Sequence, residues 1–205
     1  MPAKANKQNN WNLPNALTLL RLFLVPVYGI LFVLGRKNAA LLVFLIACLT
    51  DLLDGQIARR CNLITDFGKL MDPLADKVMV LSAMLSMTLG NPPQIPAVIP
   101  WPALVVVLLK EAVMVGGGLA MYKHGMVTYS SPIGKVAHAV FSGGLIASYF
   151  HQEFEAALPD WPMTPDLILI WLAVALTLCA MVFYVSLGLR RATEQGVIGK
   201  GKKRK

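Results

Sequence analysis

Charge is scarce in this chain. Only 15% of its 205 residues are Asp, Glu, Lys or Arg, against 56% hydrophobic. A water-soluble domain of this size carries more charged surface than that, so an ordinary soluble fold is excluded. Cysteine is sparse too. Cys48, Cys61 and Cys179 form no CxxC pair and no metal-finger spacing, which excludes a disulfide framework and a thiolate metal centre. The histidines His124, His138 and His151 are isolated by spacing, and His124 and His151 read as interfacial. No stretch alternates apolar and polar residues as a half-buried strand would. No internal repeat is evident, which counts against an inverted-repeat transporter. The N-terminus lacks a signal-peptide pattern, because residues 9–15 lead into the first apolar run without a small-residue cleavage site. That run is expected to remain as a membrane helix.

What the chain does have is apolar length. Its mean hydropathy is +0.60, and several runs approach the roughly 20 residues that cross a hydrocarbon core. These runs predict an all-α integral membrane protein with six transmembrane helices, over about 17–34, 39–57, 74–89, 97–122, 132–151 and 167–189. Residues 11–20 leave room for a short N-terminal interfacial helix, since Trp11 suits the headgroup layer. Residues 1–192 read as one transmembrane domain and 193–205 as a basic, mobile tail. The loops set the orientation. One side collects Lys4, Lys7, Arg59, Arg60, Lys69, Lys123, Lys135, Arg190, Arg191 and the tail; the other holds Arg36 and Lys37, then Glu153, Glu155 and Asp160. The positive-inside rule puts both termini in the cytoplasm of a multi-pass cell-membrane protein. The basic tail is expected to meet anionic lipid and not nucleic acid, because no nucleic-acid-binding domain accompanies it.

Against this apolar background stand four aspartates, Asp51, Asp54, Asp72 and Asp76. An acidic side chain in a membrane helix costs roughly 2.5–3.5 kcal/mol at the centre and less near the interface. Several together also repel one another. A divalent metal is the natural reason to keep them. Asp51 and Asp54 are three apart and share a helix face, about 4.5 Å apart along the axis. Asp72 and Asp76 are four apart and share another. Residues 61–67 read as a turn joining antiparallel helices, so a hairpin can bring all four carboxylates to one point. Two facing carboxylate pairs can hold two divalent cations, an arrangement suited to phosphoryl chemistry. Gly55 and Ala58 leave room for a bulky group, and Arg59 supplies a forked donor for phosphate. Gly68 permits close approach near the turn. Pro73 is placed near the start of the third span, where a missing N–H is tolerated. Asp66, in the turn, reads as a helix cap. Met79, Met84 and Met87 read as packing.

Together these residues spell D-x2-D-G-x2-A-R-x8-G-x3-D-x3-D, met at Asp51, Asp54, Gly55, Ala58, Arg59, Gly68, Asp72 and Asp76. The pattern resembles the CDP-alcohol phosphotransferase family of membrane enzymes, and within it phosphatidylglycerophosphate synthases. The N-terminal stretch from Asn12 through Arg21 also resembles that family, as does the stretch from Phe67 through Lys77. The resemblance implies a six-helix fold, a site open to the cytoplasm and inner leaflet, and a homodimer. It implies transfer of the phosphatidyl group of CDP-diacylglycerol to an alcohol with release of CMP. By position, it makes Asp51, Asp54, Asp72 and Asp76 ligands of Mg²⁺ or Mn²⁺, two ions per site, and Asp76 the proton acceptor. Gly55, Arg59 and Thr65 match positions that contact the CDP moiety, beside Ala58 and Gly68. Asn15, Thr18 and Arg21 match weaker contacts to the nucleotide-lipid.

The acceptor has to be sought outside the motif. Lys110 and Glu111 interrupt an apolar span, where buried charges need partners. Lys110 and Lys135 are candidates to bind an acceptor phosphate, which would make the acceptor glycerol 3-phosphate. Phosphatidylglycerophosphate synthases commonly have arginine where Lys110 stands, another arginine near Gly116, Gly117 and Gly118, and a further basic residue at Ala137. A CDP-dependent cardiolipin synthase, with phosphatidylglycerol as acceptor, is therefore the rival. A cation transporter would also keep intramembrane carboxylates, but would not need Gly55, Ala58 and Arg59 in register.

Overall fold

The computed structural model describes residues 13–60, 66–123 and 132–194. Among them are seven helices: α1 Leu13–Val33, α2 Lys37–Arg60, α3 Asp66–Leu89, α4 Trp101–Lys123, α5 Pro132–Ser148, α6 His151–Ala157 and α7 Pro165–Glu194. The described residues contain no strand, only an isolated bridge between Asn91 and Ile95. Among the described residues, three helical stretches are long and apolar enough to cross a membrane: Asn15–Val33, Trp101–Gly118 and Pro165–Gly188. The last has 24 residues, about 36 Å at 1.5 Å per residue, which exceeds a hydrocarbon core of about 30 Å. The stretch Ile133–Ser148 is apolar but shorter.

Helices α2 and α3 have 24 residues each. They are long enough to span, but Asp51, Asp54, Asp72 and Asp76 with their basic neighbours dilute their hydropathy.

Helix boundaries depart from the hydropathy reading in four places. Residues 13–20 run unbroken into α1 and form no separate interfacial helix; Trp11 lies outside the described residues. Helix α3 starts at Asp66, well before residue 74, so Pro73 falls inside it and not at its start. Hydropathy locates where lipid-compatible residues begin, whereas the i→i−4 ladder continues through polar ones. Helix α4 starts at Trp101, because Pro92, Pro93, Pro96 and Pro100 remove donors and disfavour helix in the residues before them. The span expected over 132–151 breaks at Tyr149 and Phe150, and the chain restarts as the short α6.

The described residues fall into two compact units, Met1–Val98 and Ile99–Lys205. In the first, α1 packs against α2 and α3. Its buried side is Thr18, Arg21, Tyr28 and Phe32. Tyr28 lies with its ring centroid 6.2 Å from Phe44 of α2. Ala40, Ala47, Ala75 and Ala83 are all buried, and such small residues let membrane helices approach closely. Met79, Met84 and Met87 are buried in α3, as packing residues would be.

The turn after α3 ties back to α1. Asn91 Nδ2 donates to the carbonyls of Phe32 at 3.0 Å and Val33 at 2.8 Å, satisfying two acceptors at the C-terminus of α1. Gly90 makes that turn with φ of 67°. A Cβ there would sit 2.6 Å from the Ala97 backbone nitrogen, so no other residue fits without displacement.

In the second unit, α7 packs against α5 and α4. Ala137, Phe141 and Leu145 recur every four residues along the buried side of α5, facing a core that includes Ile170 and Ala173. Gly144 packs closely on α7, since a Cβ there would lie 3.0 Å from Ile170 Cδ1. Large apolar side chains such as Phe23, Ile30, Leu109, Leu172, Val182 and Phe183 stay exposed. That would be costly in water and is ordinary against lipid tails.

Candidate functional site

Asp51 lies in the C-terminal half of α2, and Asp76 lies in the N-terminal half of α3. The packing of α2 on α3 brings a carboxylate oxygen of one within 4.8 Å of a carboxylate oxygen of the other. Two like charges so placed repel by roughly 3–4 kcal/mol at an effective dielectric near 20.

The structure supplies a counter-charge from α1. Arg21 Nη1 sits 3.0 Å from Asp51 Oδ1. The Arg21 side chain is 1% exposed and that of Asp51 33% exposed. The guanidinium is thus held inside the helix packing while the carboxylate still reaches the surface. The donor set is hard oxygen. Two oxygens bound to one Mg²⁺ at about 2.1 Å each can lie up to about 4.2 Å apart, and larger divalent ions accept wider spacing. The Asp51–Asp76 pair therefore fits a divalent cation.

Not every residue of the motif can be followed this far. The backbones of Asp54, Gly55, Ala58 and Arg59 lie in α2, and those of Gly68 and Asp72 in α3. Their side chains, and Thr65 altogether, are outside the described residues. On α1, Asn15, Thr18 and Arg21 are all buried, at 3%, 0% and 1% exposure. The reading of these three as nucleotide-lipid contacts did not foresee the ion pair from Arg21 to Asp51. Its only signal in the sequence was an arginine deep in an apolar run, which demands a carboxylate partner.

Of the acceptor candidates, Lys110 bonds to the neighbouring Glu111, with both side chains largely buried. Helix α4 thus neutralises its own intramembrane charge locally. Lys135 is exposed near the start of α5.

A further polar cluster was not foreseen. His151, read as interfacial, is only 14% exposed, and its Nδ1 lies 3.0 Å from Oδ2 of the fully buried Asp166. Thr164 Oγ1 is 3.2 Å from the same nitrogen. This cluster joins the start of α6 to the start of α7.

Comparison with known proteins gives a consistent picture. A family model for CDP-alcohol phosphatidyltransferase matches residues 11–185. A Bacillus subtilis protein named CDP-diacylglycerol–glycerol-3-phosphate 3-phosphatidyltransferase is 32% identical over 192 residues, covering 86% of this chain and 94% of the relative. A Rickettsia typhi protein of the same name is 52% identical over 73 residues, 34% of this chain. That alignment spans only 40% of the relative's length. A cardiolipin synthase (CMP-forming) from Rattus norvegicus is 37% identical over 114 residues, 55% of this chain and 36% of the relative.

Proposed function

Because the chain belongs to the CDP-alcohol phosphatidyltransferase family, we propose that it transfers the phosphatidyl group of CDP-diacylglycerol to glycerol 3-phosphate and releases CMP. The observation that carries this reading is the convergence of Asp51 and Asp76, from two helices, inside the family's aspartate motif. The near full-length Bacillus relative supports glycerol 3-phosphate as the acceptor.

In this reading Asp51, Asp54, Asp72 and Asp76 hold two Mg²⁺ or Mn²⁺ ions at the cytoplasmic membrane face. When bound, such ions offset the charge of the pyrophosphate and of the departing CMP. Arg59 grips a phosphate with its forked donors, and Gly55, Ala58, Thr65 and Gly68 shape the seat of the cytidine nucleotide. Asn15 and Thr18 support the nucleotide-lipid from α1. Asp76 accepts the proton of the acceptor hydroxyl as that oxygen bonds to the lipid-bearing phosphorus. The bond from that phosphorus to the bridging oxygen breaks, and the electron pair leaves with CMP. Lys110 and Lys135 are the candidates for the acceptor's own phosphate. The chain crosses the cell membrane six times as residues 1–192, with both termini cytoplasmic, works as a homodimer, and lays its 193–205 tail on anionic lipid.

A cardiolipin synthase is the second reading. It is favoured by the rat relative and by the pairing of Lys110 with Glu111, which leaves less net positive charge for a phosphorylated acceptor. One assay separates the two. Purified protein with CDP-diacylglycerol and Mg²⁺ or Mn²⁺ is offered glycerol 3-phosphate, phosphatidylglycerol, inositol phosphate or serine, and lipid products are identified by mass. Phosphatidylglycerophosphate is the expected product. Cardiolipin alone would move the chain to the second reading, and no CMP release with any alcohol would end both.

A further inference from the structure

We infer that Arg21 is a positioning residue for the metal site: its ion pair fixes the Asp51 carboxylate beside that of Asp76, where the two can share a cation. The inference rests on the metal reading above and departs from a direct role for Arg21 on the nucleotide-lipid.

Three observations carry it. The Arg21 side chain is 1% exposed, which leaves almost no surface for a ligand to touch. Its Nη1 lies 3.0 Å from Asp51 Oδ1, while Asp51 keeps 33% of its side-chain surface. Asp51 also brings a carboxylate oxygen within 4.8 Å of one from Asp76, so the aspartate held by Arg21 is one of the two that converge. An arginine buried in a membrane helix is expensive and is retained where it has a job next to it. Its planar fork holds a carboxylate in orientation better than the point charge of a lysine can. Groups that orient a ligand from behind typically contribute 10- to 100-fold to metal affinity.

Two effects of Arg21 oppose each other, and their balance makes the inference testable. Its positive charge repels an incoming cation. Its ion pair prepays the ordering of Asp51 and relieves the repulsion between Asp51 and Asp76. If orientation dominates, removing the guanidinium weakens metal binding; if repulsion dominates, removal tightens it. The typical outer-shell magnitude favours the first.

The experiment titrates Mn²⁺ into purified nucleotide-free full-length protein, followed by electron paramagnetic resonance, for the parent, Arg21→Gln and Arg21→Lys. The KM for CDP-diacylglycerol is measured at saturating Mn²⁺ in parallel. The expected result is Mn²⁺ binding about 10- to 100-fold weaker in Arg21→Gln, partial recovery in Arg21→Lys, and a nearly unchanged KM. Unchanged or tighter Mn²⁺ binding with a raised KM would overturn the inference and return Arg21 to the nucleotide. Should Arg21→Gln fail to fold, Arg21→Lys decides alone, since it keeps the charge and loses the fork. Parent protein that binds no Mn²⁺ would sink the metal reading itself, an outcome separate from either result for Arg21.

Discussion

The two compact units treat buried charge in opposite ways. In Met1–Val98, Arg21 of α1 reaches Asp51 of α2, and Asp51 converges with Asp76 of α3. The charges come from three helices, and one carboxylate remains partly exposed. In Ile99–Lys205, Lys110 pairs with its immediate neighbour Glu111, and His151 pairs with Asp166 across the link from α6 to α7. These groups pair close to where they arise in the chain. Charge gathered from separate helices, with a carboxylate still partly exposed, makes a place for a ligand. Charge settled locally makes a joint.

The contrast predicts a graded series of losses. Removing divalent metal with a chelator should abolish transfer, and Mg²⁺ or Mn²⁺ should restore it; activity that survives exhaustive chelation would disconnect the aspartates from the chemistry. Next in size is Asp76→Asn, expected to lower turnover by about 10²- to 10⁴-fold, the usual contribution of a general base. Mn²⁺ binding to that variant should weaken as well, since Asp76 is one of the two converging carboxylates, so turnover is read at saturating Mn²⁺; full turnover there would remove Asp76 from its assigned role.

The pair on α4 sharpens the comparison at the point where it is weakest. Changing Lys110 alone would leave Glu111 buried beside an apolar residue, so the informative variant is the double change Lys110→Met with Glu111→Gln. If Lys110 reaches the acceptor, KM for glycerol 3-phosphate should rise roughly 10-fold or more, in keeping with one charge-assisted hydrogen bond, while KM for CDP-diacylglycerol stays level. No change in either constant would make the pair a structural joint like its counterpart at α6. The smallest effect on catalysis is expected at that counterpart. His151→Ala should destabilise the protein by about 1–3 kcal/mol by stripping a partner from buried Asp166, with Mn²⁺ affinity unaltered. A matching loss of metal binding would show that the two units do not divide their labour in this way.

How much of this was legible beforehand differs by residue. Asp51, Asp54, Asp72 and Asp76 stood out because acidic groups in apolar surroundings are costly and their spacing of three and four shares helix faces. The α-helical class followed from uninterrupted apolar runs. The start of α3 at Asp66 did not, because polar residues hide a helix from a hydropathy reading without breaking its hydrogen bonds. Neither did α6, a short helix with no buried residue. The partner of His151 was invisible for a different reason: Asp166 lies 15 residues away, and no periodicity links positions across a turn.

The order of residues alone determined that this chain is helical and lipid-compatible, and that it gathers carboxylates into a phosphotransferase motif. Those properties depend on local composition and on helical spacing, which are written in the chain itself. Only the tertiary structure decided which charge answers which. That Arg21 faces Asp51, or His151 faces Asp166, depends on how separate helices pack, and a polar pair forms wherever packing brings its partners within reach.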